Sequence, residues 1–382
     1  MLHYLPDNVY SLINDKLDSG TETPFIVLDL TEVKQNYKQF FKNFERITPH
    51  YAVKANPHPE IVQTLADAGA NFDIASVNEL NLVLNKGVDS SRFIFANPVK
   101  KYDEIVGALE LGVDFFTLDS VEELEKIEKA ASQTGMHVKI LVRIWVPNYG
   151  SIVDLSTKFG ADSETTEAIL KRSLETEFTN IIGFAFHVGS QCLNPANFKK
   201  AFNIALSELE KAQKLGIETA ILDIGGGLPV NYSLDISYEE DIVAEIVKII
   251  EKIPENIKLI AEPGRNFVAT AGTLVTRIIG KTEKRGKTWF YLDDSIYQTF
   301  SGKIYDFTDY KIFPLLRDAM PATEVVIAGN TCDGHDIISR STLLPPDLQV
   351  DDILYVPNVG AYTTASASNF NGFEPAQIVI YK

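Results

Sequence analysis

Cysteine is nearly absent from this 382-residue chain, which carries only Cys192 and Cys332. Two cysteines make no disulfide framework, so a reducing compartment, the cytoplasm, is expected. Basic residues are the scarcer charge: 35 Lys and Arg stand against 52 Asp and Glu, a formal net charge of −17. Such a surface repels phosphate backbones, so nucleic-acid binding is not expected as the main activity, whereas a small cationic substrate suits it. No apolar run approaches the ~18 residues of a membrane helix, so no membrane span is expected. The opening MLHYLPDNVYSLINDKLDSG has neither the basic start nor the apolar centre of a secretory leader, and none is expected. Several motifs are missing as well. There is no G-x-S-x-G elbow, no G-x-x-x-x-G-K-[ST] loop, and no G-x-G-x-x-G opening a helix after a strand. No Cys-x-x-Cys or His-x-x-x-His pair occurs, so no metal site is expected, even though His335 and Asp336 lie close to Cys332 and Asp333.

What the chain does have is ordinary globular composition, 45% hydrophobic and 23% charged, and a repeating pattern. Short apolar runs recur as HYAVKAN at 50–56, NFDIAS at 71–76, FIFAN at 93–97, FFTLDS at 115–120, VKILVRI at 138–144, IIGFAFHVG at 181–189, AILDIGGG at 220–227 and KLIAEPGR at 258–265. Amphipathic segments separate them; in FKKAFNIALSELEKAQKLG at 198–216, Phe198, Phe202, Ala205 and Leu209 fall at helical spacing. Eight strand–helix units predict a (β/α)8 barrel, with a doubly wound open sheet as the rival. After residue 270 the texture changes. VTRIIGKTEKRGKTWFYLDD predicts a hairpin with a polar turn at 281–287, and TEVVIAGNTCDG, DILYVPNVGAYT and AQIVIYK predict further strands. The expected organisation is a barrel over 31–270 and a mostly antiparallel β domain built from 1–30 and 271–382, with TPFIVLDL at 23–30 in the β domain.

In such barrels, chemistry sits at the C-terminal ends of strands. Lys54, Asp73, Arg143, His187, Gly225–Gly227 and the group Glu262, Gly264 and Arg265 all fall at or near such ends. Each alone has a bland explanation: a solvated lysine, a core histidine, a loop glycine, a turn. Their joint placement at one barrel mouth outweighs these. Three glycines after the seventh run let backbone N–H groups approach an anion, and Arg265 after the eighth adds fixed positive charge, so a bound phosphate is expected. A phosphate at one end and Lys54 at the other suit pyridoxal phosphate held as a Schiff base. Glu262 is then the candidate partner of the pyridine nitrogen, and a neutral His187 ring the candidate stacking surface. In the β domain, Cys332 is an acid, a nucleophile or an inert buried residue, and Tyr362 lies in a Gly-Ala turn.

YAVKANP at 51–57, FDIAS at 72–76, FANPVK at 95–100, FHVGSQ at 186–191, DIGGGLP at 223–229, AEPGR at 261–265, CDGHD at 332–336 and GAYT at 360–363 together resemble the fold-type III pyridoxal-phosphate decarboxylases, of which the ornithine and lysine decarboxylases are most alike. The resemblance runs from about residue 24 to the C-terminus. It implies an alanine racemase-like fold: the barrel plus a C-terminal β domain. It further implies that Lys54 carries the cofactor, His187 stacks on it and Glu262 pairs with its ring nitrogen. Ser190, Gly225, Gly226, Gly227, Gly264, Arg265 and Tyr362 would hold the phosphate, while Asp73 and Arg143 line the cofactor. Cys332 would return a proton to the substrate carbon, and Asp333 would bind a distal amine. The implied assembly is a head-to-tail homodimer with shared active sites, Cys332 and Asp333 crossing the interface and Phe370 reaching the partner's site.

Substrate preference rests on fewer residues. Asp306 and Asp333 offer carboxylates to a distal ammonium, and no arginine lies between 288 and 316 to receive a second substrate carboxylate. That favours L-ornithine or L-lysine, and hence polyamine biosynthesis, over diaminopimelate or carboxynorspermidine. The tract YLDDSIYQTFSGK at 291–303 departs from the family's glycine-rich version but keeps an aromatic, Tyr297, counted with Asp306, Asp333 and Phe370 among the substrate-binding candidates. A non-catalytic regulatory homologue is the rival class; it should have lost some of Lys54, His187, Glu262 and Cys332, and all four stand.

Overall fold

The computed structural model describes residues 5–147, 150–232, 239–315 and 322–382. In chain order its strands are β1 (Phe25–Asp29), β2 (Ile47–Ala52), β3 (Asn71–Ile74), β4 (Phe93–Phe95), β5 (Phe115–Leu118), β6 (Val138–Arg143), β7 (Ser151–Val153), β8 (Thr179–Ala185), β9 (Ser190–Cys192), β10 (Ile221–Asp223), β11 (Lys258–Ala261), β12 (Gly272–Lys284), β13 (Lys287–Leu292), β14 (Phe313–Pro314), β15 (Thr323–Ala328), β16 (Ile337–Leu344), β17 (Ile353–Pro357) and β18 (Gln377–Tyr381). The chain divides into two compact units, one of Tyr37–Asn231 and Ile236–Asn266, the other of Met1–Asn36, Tyr232–Asp235 and Phe267–Lys382. The divisions fall at 36/37 and 266/267, against the expected 30/31 and 270/271.

The first unit is a closed parallel barrel in the order β10-β11-β2-β3-β4-β5-β6-β8. Each apolar run expected to be a strand supplies one of these eight. Closure excludes the open-sheet rival. The strand ends are sharply defined because capping side chains start the next helix at once. Ser76 Oγ accepts from the Glu79 N–H at 3.2 Å, and Glu79 Oε2 reaches back to the Ala75 N–H at 2.7 Å. Ser120 likewise caps the helix Val121–Thr134 after β5, which ends at Gly135 in the left-handed conformation. Phenylalanines from adjacent strands pack into a core: Phe72 meets Phe93 at 6.0 Å between ring centroids, and Phe95 meets Phe116 at 5.6 Å. Lys100 is buried below the mouth, its ammonium donating to Asn97 O at 2.8 Å, Thr117 O at 2.7 Å and Glu123 Oε1 at 3.1 Å. Burial pulls its pKa down to about 8, although Glu123 opposes the shift. The lysine thereby ties the loop after β4 to β5 and to the helix that follows it.

His50 on β2 is another buried polar group, held neutral by burial and then by Lys258, with a pKa of about 4. The unfolded chain takes a proton on this ring below about pH 6.5, and the folded chain only near 4. Stability from His50 is therefore complete above 6.5 and is lost as the pH falls toward 4, by about 3 kcal/mol in all. Urea unfolding at pH 7 and at pH 5 should show a larger loss for the parent than for His50→Phe; equal losses would remove His50 from the account.

The second unit is an eight-stranded sheet, with β14-β17-β12-β13-β15-β16 in line and β1 paired to both β12 and β18. Most pairs are antiparallel, but β1–β18 and β13–β15 are parallel. The segment at 23–30 joins this sheet as expected, through Phe25–Leu28 against Gly272–Val275. The hairpin differs in detail. Its strands run on to Lys284 and resume at Lys287, so the turn is only Arg285-Gly286 rather than 281–287, both in the left-handed region (φ 53° and 73°). Left-handed residues at both central positions suit a two-residue turn, whose twist matches the strands. Elements that escaped the sequence reading include the helix Asp7–Asp18, whose Val9 and Ile13 pack on Phe25, Val27 and Tyr355, the short strands β7, β9 and β14, and β16, whose IISRSTLL carries too many polar residues to stand out. Among the described residues, no helix is long and apolar enough to cross a membrane.

Candidate active site

At the mouth of the barrel, the end of β2 passes into a short 3-10 turn, Val53–Ala55, that carries Lys54. Lys54 Nζ lies 3.0 Å from Asp73 Oδ2 on β3; the lysine side chain is 48% exposed and the aspartate 2%. The other carboxylate oxygen, Asp73 Oδ1, is buried with no hydrogen-bond partner. His187, just beyond β8, accepts the Gly189 N–H on Nδ1 at 3.0 Å. Burial first, then Arg143 and Lys54, push its pKa well below the usual imidazole range. The ring is therefore neutral, with its proton assigned to Nε2 by that hydrogen bond.

Two carboxyls lie at the ends of β10 and β11. Asp223 accepts the Gly225 N–H at 2.8 Å on Oδ1. Its burial, with Asp73 adding, raises its pKa to about 7. Glu262 is pushed well above the ordinary carboxylate range by burial, then by Asp223 and Asp73, while Lys54 and Arg143 pull the other way. The pair holds a proton near neutrality and gives it up readily only against a new cation. Arg143, the last residue of β6, acts on Glu262, Asp119, Asp223 and Asp73, and its guanidinium lies 5.2 Å from the Phe159 ring centre.

The glycine loop has no room for side chains. A Cβ on Gly225 (φ 66°) would stand 2.3 Å from Phe186 O, and one on Gly227 (φ 95°) 2.2 Å from Gly189 O. On Gly226 it would meet Glu262 O at 2.9 Å and His187 Nε2 at 3.0 Å. Beside this loop Arg265, only 5% exposed, donates through Nη2 to Ser190 Oγ at 3.0 Å. Gly264 is buried between Glu262 and Arg265 in sequence. Lysine, neutral imidazole, a carboxyl pair that ionises against a cation, and a side-chain-free loop beside a buried arginine fit a phosphorylated aldehyde with a basic ring nitrogen.

The second unit gathers another set of candidates. Tyr297 donates its hydroxyl to Asp333 Oδ2 and stacks on Phe370, with ring centroids 4.1 Å apart. Asp333 Oδ1 accepts the His335 N–H at 3.0 Å. The Tyr297 hydroxyl first, then His335, hold the Asp333 carboxyl below its ordinary range, so it is ionised. Cys332 is exposed; its N–H and its thiol both point to Asn371 Oδ1, at 3.2 and 3.5 Å. Asp306 is buried and accepts Thr308 Oγ1 at 3.1 Å, and Tyr362 (φ 56°) accepts on its carbonyl from the Tyr305 hydroxyl. Lys54, Asp73, Arg143, His187, Ser190, the glycines, Glu262 and Arg265 thus belong to the barrel, and Cys332, Asp333, Tyr297, Phe370, Asp306 and Tyr362 to the sheet unit. The sequence reading missed Asp223, although it precedes the noted glycines by two residues, and Asn371, signalled only by an Asn-Gly pair.

A barrel mouth that joins an exposed lysine, a side-chain-free glycine loop and a buried arginine suits a pyridoxal-phosphate enzyme. The family model described as "Pyridoxal-dependent decarboxylase, pyridoxal binding domain" matches residues 30–269, and the chain belongs to this family. Among curated proteins, the lysine/ornithine decarboxylase of Selenomonas ruminantium is 36% identical over 94% of this chain and 90% of its own length. The ornithine decarboxylase of Mus musculus is 36% identical over 96% and 82%, and antizyme inhibitor 2 of Xenopus laevis 33% identical over 97% and 84%. A lysine/ornithine decarboxylase from Vibrio vulnificus, solved with putrescine, superposes with a TM-score of 0.89 at 34% identity, covering 99% of each chain. The arginine decarboxylase of Paramecium bursaria Chlorella virus, solved with agmatine, does so with 0.90 at 32%, covering 97% of this chain and 100% of its own. A further relative was solved with pyridoxal phosphate and cadaverine (TM-score 0.88, 34% identity, 99% and 94% coverage). The cofactor is pyridoxal phosphate.

Proposed function

We propose that this protein decarboxylates L-ornithine, L-lysine or both, giving putrescine and cadaverine for polyamine synthesis in the cytoplasm. The observation that carries the reading is the barrel mouth: Lys54 is paired to Asp73, with His187, the Asp223–Glu262 pair and the glycine cradle around it. Bound pyridoxal phosphate supplies the sink for the electron pair left when the substrate loses carbon dioxide. Ser190, Gly225–Gly227, Gly264, Arg265 and Tyr362 hold the phosphate. Glu262 supplies negative charge opposite the ring nitrogen, and Asp223 keeps the proton that Glu262 releases. Asp73 holds the Lys54 ammonium and Arg143 balances the carboxyls. His187, being neutral, offers a flat face without competing charge. In a homodimer, Cys332 returns a proton to the substrate carbon, Asp333 and Asp306 receive the distal ammonium, and Tyr297 and Phe370 wall the chain between them.

The test is carbon dioxide release from the purified protein with pyridoxal phosphate and, in turn, L-ornithine, L-lysine, L-arginine and meso-diaminopimelate, with each amine product identified. Ornithine and lysine differ by one methylene, which supports only about 1–3 kcal/mol of discrimination, so turnover of both is expected. Release from arginine alone or diaminopimelate alone would overturn the substrate assignment. No release from any of them would favour a non-catalytic role, the alternative that likeness to an antizyme inhibitor keeps in view. Asp333→Ala should raise KM for both diamino acids about tenfold or more, as expected for a lost charge-assisted hydrogen bond, with a smaller change in kcat. An unchanged KM would end its recognition role.

A further inference from the structure

We infer that Asn371 is a positioning residue for the Cys332 thiol: its side-chain oxygen sets the direction of the S–H. The inference rests on the proposed role of Cys332 as the acid that returns a proton to the substrate carbon.

The geometry is specific. One atom, Asn371 Oδ1, accepts both the backbone N–H of Cys332 at 3.2 Å and its Sγ–H at 3.5 Å. The N–H contact fixes the oxygen in place, and the thiol is then directed to a known point. The acceptor is a neutral amide. An amide oxygen has no proton of its own to offer, so the contact is made by the S–H and its direction follows the oxygen. A group that must give up a proton to one carbon has to present its S–H in a fixed direction.

The backbone explains why asparagine stands there. Asn371 has φ 56° and ψ 13°, inside the 3-10 turn Phe370–Gly372. Asparagine is among the few residues that tolerate this left-handed conformation, and it brings a carbonyl that glycine lacks. The turn is tied down on both sides. Ser368 donates its N–H (2.9 Å) and Oγ–H (3.0 Å) to Tyr297 O, and Asn369 Nδ2 donates to Glu374 Oε2 at 2.9 Å. Gln298 Nε2 donates to Glu374 O at 2.7 Å. Phe370, the preceding residue, is the ring stacked on Tyr297, whose hydroxyl holds Asp333. A single turn thus sets an aromatic wall with one residue and orients the thiol with the next.

The test compares the parent with Asn371→Gly, which keeps the left-handed backbone and removes the acceptor, and with Asn371→Asp, which retains an oxygen at the same place. The first readout needs no turnover: the infrared S–H stretch of the holoenzyme, with the Cys332 band identified by its loss in Cys332→Ser and separated from buried Cys192. The expected result is a shift of that band to higher wavenumber in the glycine variant and no upward shift, or a shift to lower wavenumber, in the aspartate variant. The second readout is the ratio of amine to aldehyde product, since a misdirected thiol lets the proton arrive elsewhere. Misdirected product should rise by about threefold in the glycine variant, the size of one modest hydrogen bond, and return toward the parent in the aspartate variant. An unmoved S–H band in the glycine variant would overturn the inference, and so would a moved band with an unchanged product ratio. If the parent releases no carbon dioxide, the functional reading fails on its own, and the S–H band still decides whether Asn371 orients the thiol.

Discussion

Lys54→Ala is expected to leave the protein folded but unable to hold its cofactor covalently. Borohydride treatment followed by mass analysis should fix the pyridoxyl group on the parent at Lys54 and find none on the variant. Turnover should fall by about 10³-fold or more, the combined loss of a covalent attachment and a proton-transferring amine. The fold should survive because the Lys54 side chain is 48% exposed and packs no core. The substitution does leave Asp73 without its ion-pair partner beside Asp223 and Glu262. The cofactor-free variant should therefore lose stability as the pH rises through neutrality, where Asp223, raised to about 7 by burial, ionises beside it. A covalent cofactor retained in the alanine variant would place the attachment on another lysine; buried Lys100 is already bound to three carbonyls and a carboxylate.

Glu262→Gln is the second large effect. The amide is isosteric but cannot carry charge opposite a protonated ring nitrogen, so kcat should drop by about 10²–10³-fold, as for loss of one preorganised electrostatic partner. The cofactor-free protein should respond in the opposite sense. Burial raises both carboxyls, Asp73 adds to each and Asp223 further raises Glu262, so ionising the pair costs stability as the pH climbs. At pH 8 the glutamine variant, with one buried charge fewer, should unfold at a temperature no lower than the parent. Lower kcat with undiminished apo stability would mark a site built for its ligand; a variant that is both inactive and destabilised would mean Glu262 is structural.

Much of this was legible because barrel chemistry puts its signals where strands end. The runs ending in Lys54, Arg143, His187, Gly225 and Glu262 are short, apolar and regularly spaced, and each became one barrel strand. The glycine triplet was readable since only glycine avoids the contacts at Gly225 and Gly227. Asp223 stayed hidden because one buried carboxyl before a glycine loop looks like any strand-ending aspartate. What distinguishes it is Glu262, 39 positions away in sequence and brought near by the β10–β11 pairing. Asn371 was hidden for a similar reason: its partner Cys332 is joined to it by folding, not by any local pattern. The two-residue turn at Arg285-Gly286 was overestimated because polar strand ends, Lys281–Lys284, read like loop.

The pairing of β1 with β18, Phe25 to Gln377 through Asp29 to Tyr381, has a consequence for how the protein is made. β1 leaves the ribosome well before its partner β18. At roughly 5–20 residues per second the delay is on the order of 20–70 s. Throughout it the β18-facing edge of FIVLD, whose five residues are all buried in the finished sheet, is unpaired. The nascent chain should therefore depend on holding chaperones during that interval.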